Sequence, residues 1–157
     1  MHKFVKYGAF AALGAGLFIS GAFAATQMVV HDQPNARMPF ASSVMVPPGY
    51  DTYYISGSSG RGADTAAQTM ATLEGLKAKL AKMGMNFGDV VQAHVYLAGD
   101  PAKGGKMDFA GMNSSWFKFF GTKAQPNKPA RAAFQVAALA GSKALVEIEF
   151  VAVKKAN

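Results

Sequence analysis

The clearest periodic signal lies in the middle of the chain. Met70, Leu73, Leu76, Leu80 and Met83 recur at spacings of three and four, which puts them on one stripe of a helix. Asp64 stands before this stretch as a helix cap, Lys77, Lys79 and Lys82 occupy the other faces near its end, and Gly84 stops it. A second stripe, Phe109, Met112, Trp116, Phe119 and Phe120, predicts a helix opened by Asp108 and closed by Gly121. Between the two, Asp89–Leu97 alternates. Val91, Ala93, Val95 and Leu97 take one face, and Gln92, His94 and Tyr96 the other. Thr52–Ser56 and Met38–Val46 read as earlier strands, separated by the Pro47-Pro48-Gly49 turn.

The last two apolar runs, Pro129–Leu139 and Ala144–Val153, alternate as strands. The Ala140-Gly141-Ser142-Lys143 segment between them predicts a hairpin. The order is strand, strand, helix, strand, helix, strand, strand. It predicts an α+β fold, a two-layer sandwich with both helices on one face of a mixed sheet. The uncovered sheet face, with Tyr96, Phe134 and Phe150 available, points to self-association.

Charge falls in informative places. Arg131 opens the first of the last two strands, and Glu147 and Glu149 share one face of the second. Arginine grips a carboxylate with two parallel hydrogen bonds, and a nearby glutamate can orient or deprotonate a water. The same two residues also suit a structural cross-strand ion pair, and the pattern alone leaves both readings open.

Other chemistry is poorly served. His31 and His94 are far apart and in no ligand spacing, so no metal site is expected. The chain has no cysteine, which excludes thiol catalysis, and it lacks a Gly-x-Ser-x-Gly nucleophile elbow. The glycine-rich Gly57–Gly62 segment does not match a phosphate loop and reads as a tight strand-to-helix turn. No cofactor is implied.

The N-terminal composition changes the address. Lys3 and Lys6 precede an apolar run that ends Ala22-Phe23-Ala24-Ala25, the layout of a secretory signal peptide cleaved after Ala24. The expected organisation is a leader over 1–24, an arm over 25–38 and one domain over 39–157, in an exported, periplasmic protein. A retained membrane anchor is the alternative. Removing the leader's two lysines lowers the net charge from +7 to +5. That modest excess, on scattered lysines, does not call for a nucleic-acid partner.

Four stretches carry a family resemblance: Met83–Val91 running into His94-Val95-Tyr96-Leu97, Asp108–Phe120 with Asn113 and Trp116, Pro129-Ala130-Arg131, and Val146-Glu147-Ile148-Glu149. In this order they resemble the Rid family, the reactive-intermediate imine deaminases. The resemblance implies a chorismate-mutase-like fold and a homotrimer with small-molecule clefts between subunits. It implies that Arg131 binds the substrate carboxylate and that Glu147 places the hydrolytic water. It implies hydrolysis of 2-imino acids to 2-keto acids and ammonia without a cofactor.

The same comparison puts Phe40, Gly57 and Ala133 with Arg131 as substrate-binding positions, and Asn113 in a capping or supporting role. Phe40 stands where the family has a tyrosine, and Ala133 where it has a cysteine. Ser56–Gly60 replaces the segment that shapes the family's pocket, and the hairpin after it is nearly absent. The ligand expected is therefore a small carboxylate or imino acid. The other reading is a non-catalytic accessory subunit docked on a periplasmic or membrane-bound enzyme complex, motivated by the altered loops and by Phe40, Tyr50, Tyr53 and Tyr54.

Overall fold

The computed structural model describes residues 28–156, so the expected leader over 1–24 lies outside the described residues. A four-stranded sheet forms the floor. Its strands are β3 (Tyr50–Ser58), β4 (Val90–Leu97), β5 (Ala130–Gln135) and β6 (Val146–Lys155), in the order β3-β6-β4-β5. Pairing is antiparallel except between β4 and β5, which run parallel. Helices α1 (Thr65–Lys82) and α2 (Phe109–Trp116) lie together on one face. The chain is thus a two-layer α+β sandwich on a mixed sheet.

The helix signals act as the pattern predicts. Asp64 Oδ1 accepts from the Ala67 N–H at 2.8 Å, and Gly84 takes φ +66° just past the end of α1. Leu73, Leu76 and Leu80 are fully buried, each worth roughly 1.5–3 kcal/mol by removal from water. Helix α2 stops at Trp116, and the chain then turns through Phe119 and Phe120 to Gly121 at φ +72°. Those aromatics still reach the core. Trp116 stacks on Phe120 at 4.5 Å, and Phe87 meets Phe120 edge-on at 4.9 Å.

Two local expectations are corrected. The polar segment before residue 39 contributes a strand, β1 (Val30–Asp32), which pairs with β2 (Ser43–Met45). More consequentially, β5 and β6 do not form a hairpin. The segment 136–145 carries the chain from the sheet edge to its centre, and β4 lies between the two strands. The physical reason is burial. In β6, Val146, Ile148, Phe150 and Ala152 are all buried, which demands a central place, whereas no residue of β5 is fully buried and half are exposed, which suits an edge.

Glycines in the β3–α1 connection serve packing. A Cβ on Gly60 would strike the α1 backbone at Ala71 and Thr72, and one on Gly62 would strike it at Ala67 and Gln68. Gln68 then ties this connection to the 143–145 segment. Its amide donates to the Gly62 and Lys143 carbonyls at 3.3 and 3.0 Å and accepts from Leu145 N–H at 2.8 Å.

Candidate functional site

Arg131 lies on β5 opposite Ala93 of β4, and Ala93 is opposite Phe150 of β6. Residues so paired point to one side, and here that side faces the helices. The guanidinium carbon sits 4.7 Å from the Trp116 ring centroid, 5.6 Å from Phe40 and 5.7 Å from Phe109. Nη1 donates to Met112 Sδ at 3.6 Å, a weak acceptor. Nη2 is buried with no partner. Burial lowers the Arg131 pKa to about 10, which leaves the group charged at neutral pH.

Among the described residues no carboxylate lies within ion-pair distance of it. A buried cation with an idle N–H pair is costly to hold unless an anion joins it. Ala133, two residues further along β5, shares this face and packs against the core. Asn113 follows Phe109 by one helical turn, and its Oδ1 is likewise buried without a partner. The site therefore offers an unsatisfied donor, and α2, which walls it, carries an unsatisfied acceptor elsewhere on its length.

Glu147 lies on the opposite face. It pairs in register with Tyr96, and Tyr96 touches Phe134 edge-on at 5.2 Å across the side of the sheet that carries no helix. Glu147 makes no ion pair among the described residues. Its carboxylate occupies the space that a Cβ on Gly57 would need, at a register shift between β3 and β6. Arg131, Phe40 and Ala133 thus come together, and so do Gly57 and Glu147. The sheet separates the two groups, so Arg131 and Glu147 are not ion-pair partners within one chain.

A network beside Glu147 was legible only as an alternating pattern. Glu149 Oε1 accepts from His94 Nδ1–H at 2.8 Å and from the Tyr96 hydroxyl at 2.9 Å, while Gln92 Nε2 stands 3.1 Å from His94 Nε2. The His94 and Tyr96 hydrogen bonds hold Glu149 below the usual carboxylate range. In return Tyr96 is pushed up, first by its bond to Glu149 and then by burial and by the charges of Glu149 and Glu147. Of the two glutamates, Glu149 takes two donors on Oε1, and Glu147 has no side-chain hydrogen bond or ion pair among the described residues. The aromatic cage around Arg131 was also missed, because Phe109, Met112 and Trp116 read as a plain core stripe. An arginine heading a neighbouring strand was the available signal.

The relatives agree with the fold. The family model described as Endoribonuclease L-PSP matches residues 30–154. A RutC family protein of Haemophilus influenzae is 37% identical over 93 residues, 59% of this chain and 66% of that protein. Another, from Pasteurella multocida, is 33% identical over 92 residues, again 66% of its length. The chain therefore matches slightly under two thirds of each of these relatives. Among solved structures, a YjgF family member from Neisseria meningitidis superposes with a TM-score of 0.57 at 27% identity, covering 83% of this chain and 98% of that one. A Rid family protein from Yersinia pestis gives 0.61 at 26% identity, covering 74% and 87%. With a family match over nearly all of the described residues, and neighbours that share its two-layer sandwich, the chain belongs to the endoribonuclease L-PSP family, also known as YjgF or Rid.

Proposed function

We propose that the protein hydrolyses small 2-imino acids to 2-keto acids and ammonia, as an exported homotrimer whose sites lie between subunits. The observation that carries this reading is the buried Arg131 guanidinium with Nη2 unsatisfied and no acid beside it. Such a group is suited to a carboxylate arriving from outside the chain, with a contact worth roughly 1.5–3 kcal/mol. The substrate carboxylate takes Arg131, and the planar carbon–nitrogen group lies over the Phe40 and Phe109 walls.

Glu147, on the other face, is then supplied by a neighbouring copy. Its carboxylate removes a proton from water as the oxygen bonds to the imine carbon. It passes that proton to nitrogen to give the carbinolamine, then takes the proton of the new hydroxyl and delivers it to nitrogen as the carbon–nitrogen bond breaks, releasing ammonia and leaving the 2-keto acid. One imine and one water are consumed, and no electrons change hands. The separation of Arg131 from Glu147 within a chain supports a site shared by two copies, since neither half is complete alone.

The test generates 2-imino acids in situ with an amino-acid oxidase and traps them with semicarbazide. Added protein is expected to suppress the trapped product, and Arg131→Ala to abolish the suppression. A folded protein that leaves the trapped product unchanged removes the catalytic reading for these substrates. That result favours the accessory subunit, for which copurification of a stoichiometric partner is the expected sign.

A further inference from the structure

Lys128, three residues before Arg131, is buried at 5% exposure. Its ammonium has no carboxylate within ion-pair distance among the described residues. It donates instead to the Ala36 carbonyl at 3.1 Å and weakly to the Asn35 carbonyl at 3.5 Å, and its stem lies on Gly121. Its own carbonyl accepts from His31 Nδ1–H at 2.7 Å. An unpaired buried ammonium is costly, and an apolar chain of similar length would fill the same space at less expense. What the amine adds is direction, because it fixes the 35–38 turn, which closes on itself through Met38 N–H to Asn35 O at 3.1 Å.

That turn leads straight into the Arg131 site. Pro39 O accepts from Trp116 Nε1–H at 2.7 Å, and Ala41 N–H donates to Pro129 O at 2.9 Å. Phe40 lies between these two clasps, over the guanidinium. The N-terminal segment is therefore fastened at Ala36, Pro39 and Ala41, to Lys128, Trp116 and Pro129 in turn. Removing the first clasp frees the approach to the other two.

We infer that Lys128 is a positioning residue for the Arg131 site, which acts by seating the N-terminal segment so that Phe40 closes one wall of the cage. The consequence for ligand binding rests on the carboxylate reading of Arg131, while the seating itself does not. Trp116 is the single tryptophan of the chain and bonds directly to the segment, so its emission reports the seat without any ligand.

The experiment compares the wild type with Lys128→Met, Phe40→Ala, the double variant and Lys128→Arg. Circular dichroism checks the fold, acrylamide quenching reads Trp116, and calorimetric titration with 2-oxobutanoate reads the site. In folded Lys128→Met, Trp116 emission is expected to move to longer wavelength and quenching to rise at least about twofold. The 2-oxobutanoate Kd is expected to rise about tenfold, or ~1.4 kcal/mol. In the Phe40→Ala background the same substitution is expected to add less than about twofold, because both changes remove one wall. Lys128→Arg, which restores donors, is expected to recover most of the emission and affinity.

Wild-type quenching in folded Lys128→Met overturns the inference, and so do fully additive losses in the double variant. Absence of 2-oxobutanoate binding by the wild type overturns the carboxylate reading alone, since Trp116 quenching still decides the seating. Should Lys128→Met not fold, Lys128→Gln, which keeps a donor on a shorter stem, carries the same readouts and the same two overturning results.

Discussion

Arg131 shows how one residue can be poorly placed for stability and well placed for chemistry. Its cation is held by three aromatic rings and a thioether, none of which neutralises it. Arg131→Met is therefore expected to leave unfolding stability within about 1 kcal/mol of wild type, or to raise it, while 2-oxobutanoate binding is lost. Urea denaturation beside calorimetry checks both halves. A drop as large as that for a core truncation would mark the arginine as structural. The Glu149 network makes a second prediction, about pH. Glu149 is depressed on folding, so its contribution is present above the usual 4.5 and is lost as pH falls through its lower folded value. Tyr96 is raised on folding, so its contribution is present below 10 and is lost as pH rises through its higher folded value. Urea midpoints across pH are expected to lose part of the acid decline in Glu149→Gln and part of the alkaline decline in Tyr96→Phe. Unchanged limbs in both variants would remove the network from the stability account.

Among the elements, the helices were legible in the sequence and the strand neighbours were not. A stripe at 73, 76 and 80 names its own partner face, because a helix with one apolar side has only one way to lie on a sheet. A strand pattern gives the two faces of a strand but not which strand stands beside it. Hence Glu147 and Glu149 were correctly placed on one face, while Arg131 was set next to them by a hairpin that does not exist. Leu76→Ala should cost about 2–5 kcal/mol, measured by denaturant unfolding, because its site is fully buried between α1 and the sheet. Gly57→Ala tests the β3 irregularity differently. The three atoms nearest the new Cβ all belong to the flexible Glu147 side chain, so stability is expected to fall by less than about 1 kcal/mol while imine hydrolysis falls sharply. Equal losses in both would mean that the glycine serves the strand and not the glutamate.

For the whole molecule, the sheet face without helices exposes Tyr54 at 84% and Phe134 at 43%, and it carries Glu147 and Glu149. Of the lysines and arginines in the described strands, only Lys155, at the far end of β6, falls on it, in a chain with sixteen such residues against nine acids. Sedimentation equilibrium is expected to give a trimer, and Tyr54→Asp to shift it toward monomer with loss of hydrolysis. A monomeric wild type would leave the two half-sites without a means of meeting. The same topology bears on the order in which the protein can be made. Strand β6, which stands between β3 and β4, comes after both of them, and after β5, in chain order. A ribosome that has produced everything up to residue 145 has produced a sheet without its middle, and β3 has no partner until the final ten-residue strand emerges. Closure of the sheet must then wait for β6 to be made, and every pairing of β6 with β3 spans most of the domain, which slows it further. In the exported protein proposed above that delay would be useful, because a translocating polypeptide has to remain unfolded until it has crossed.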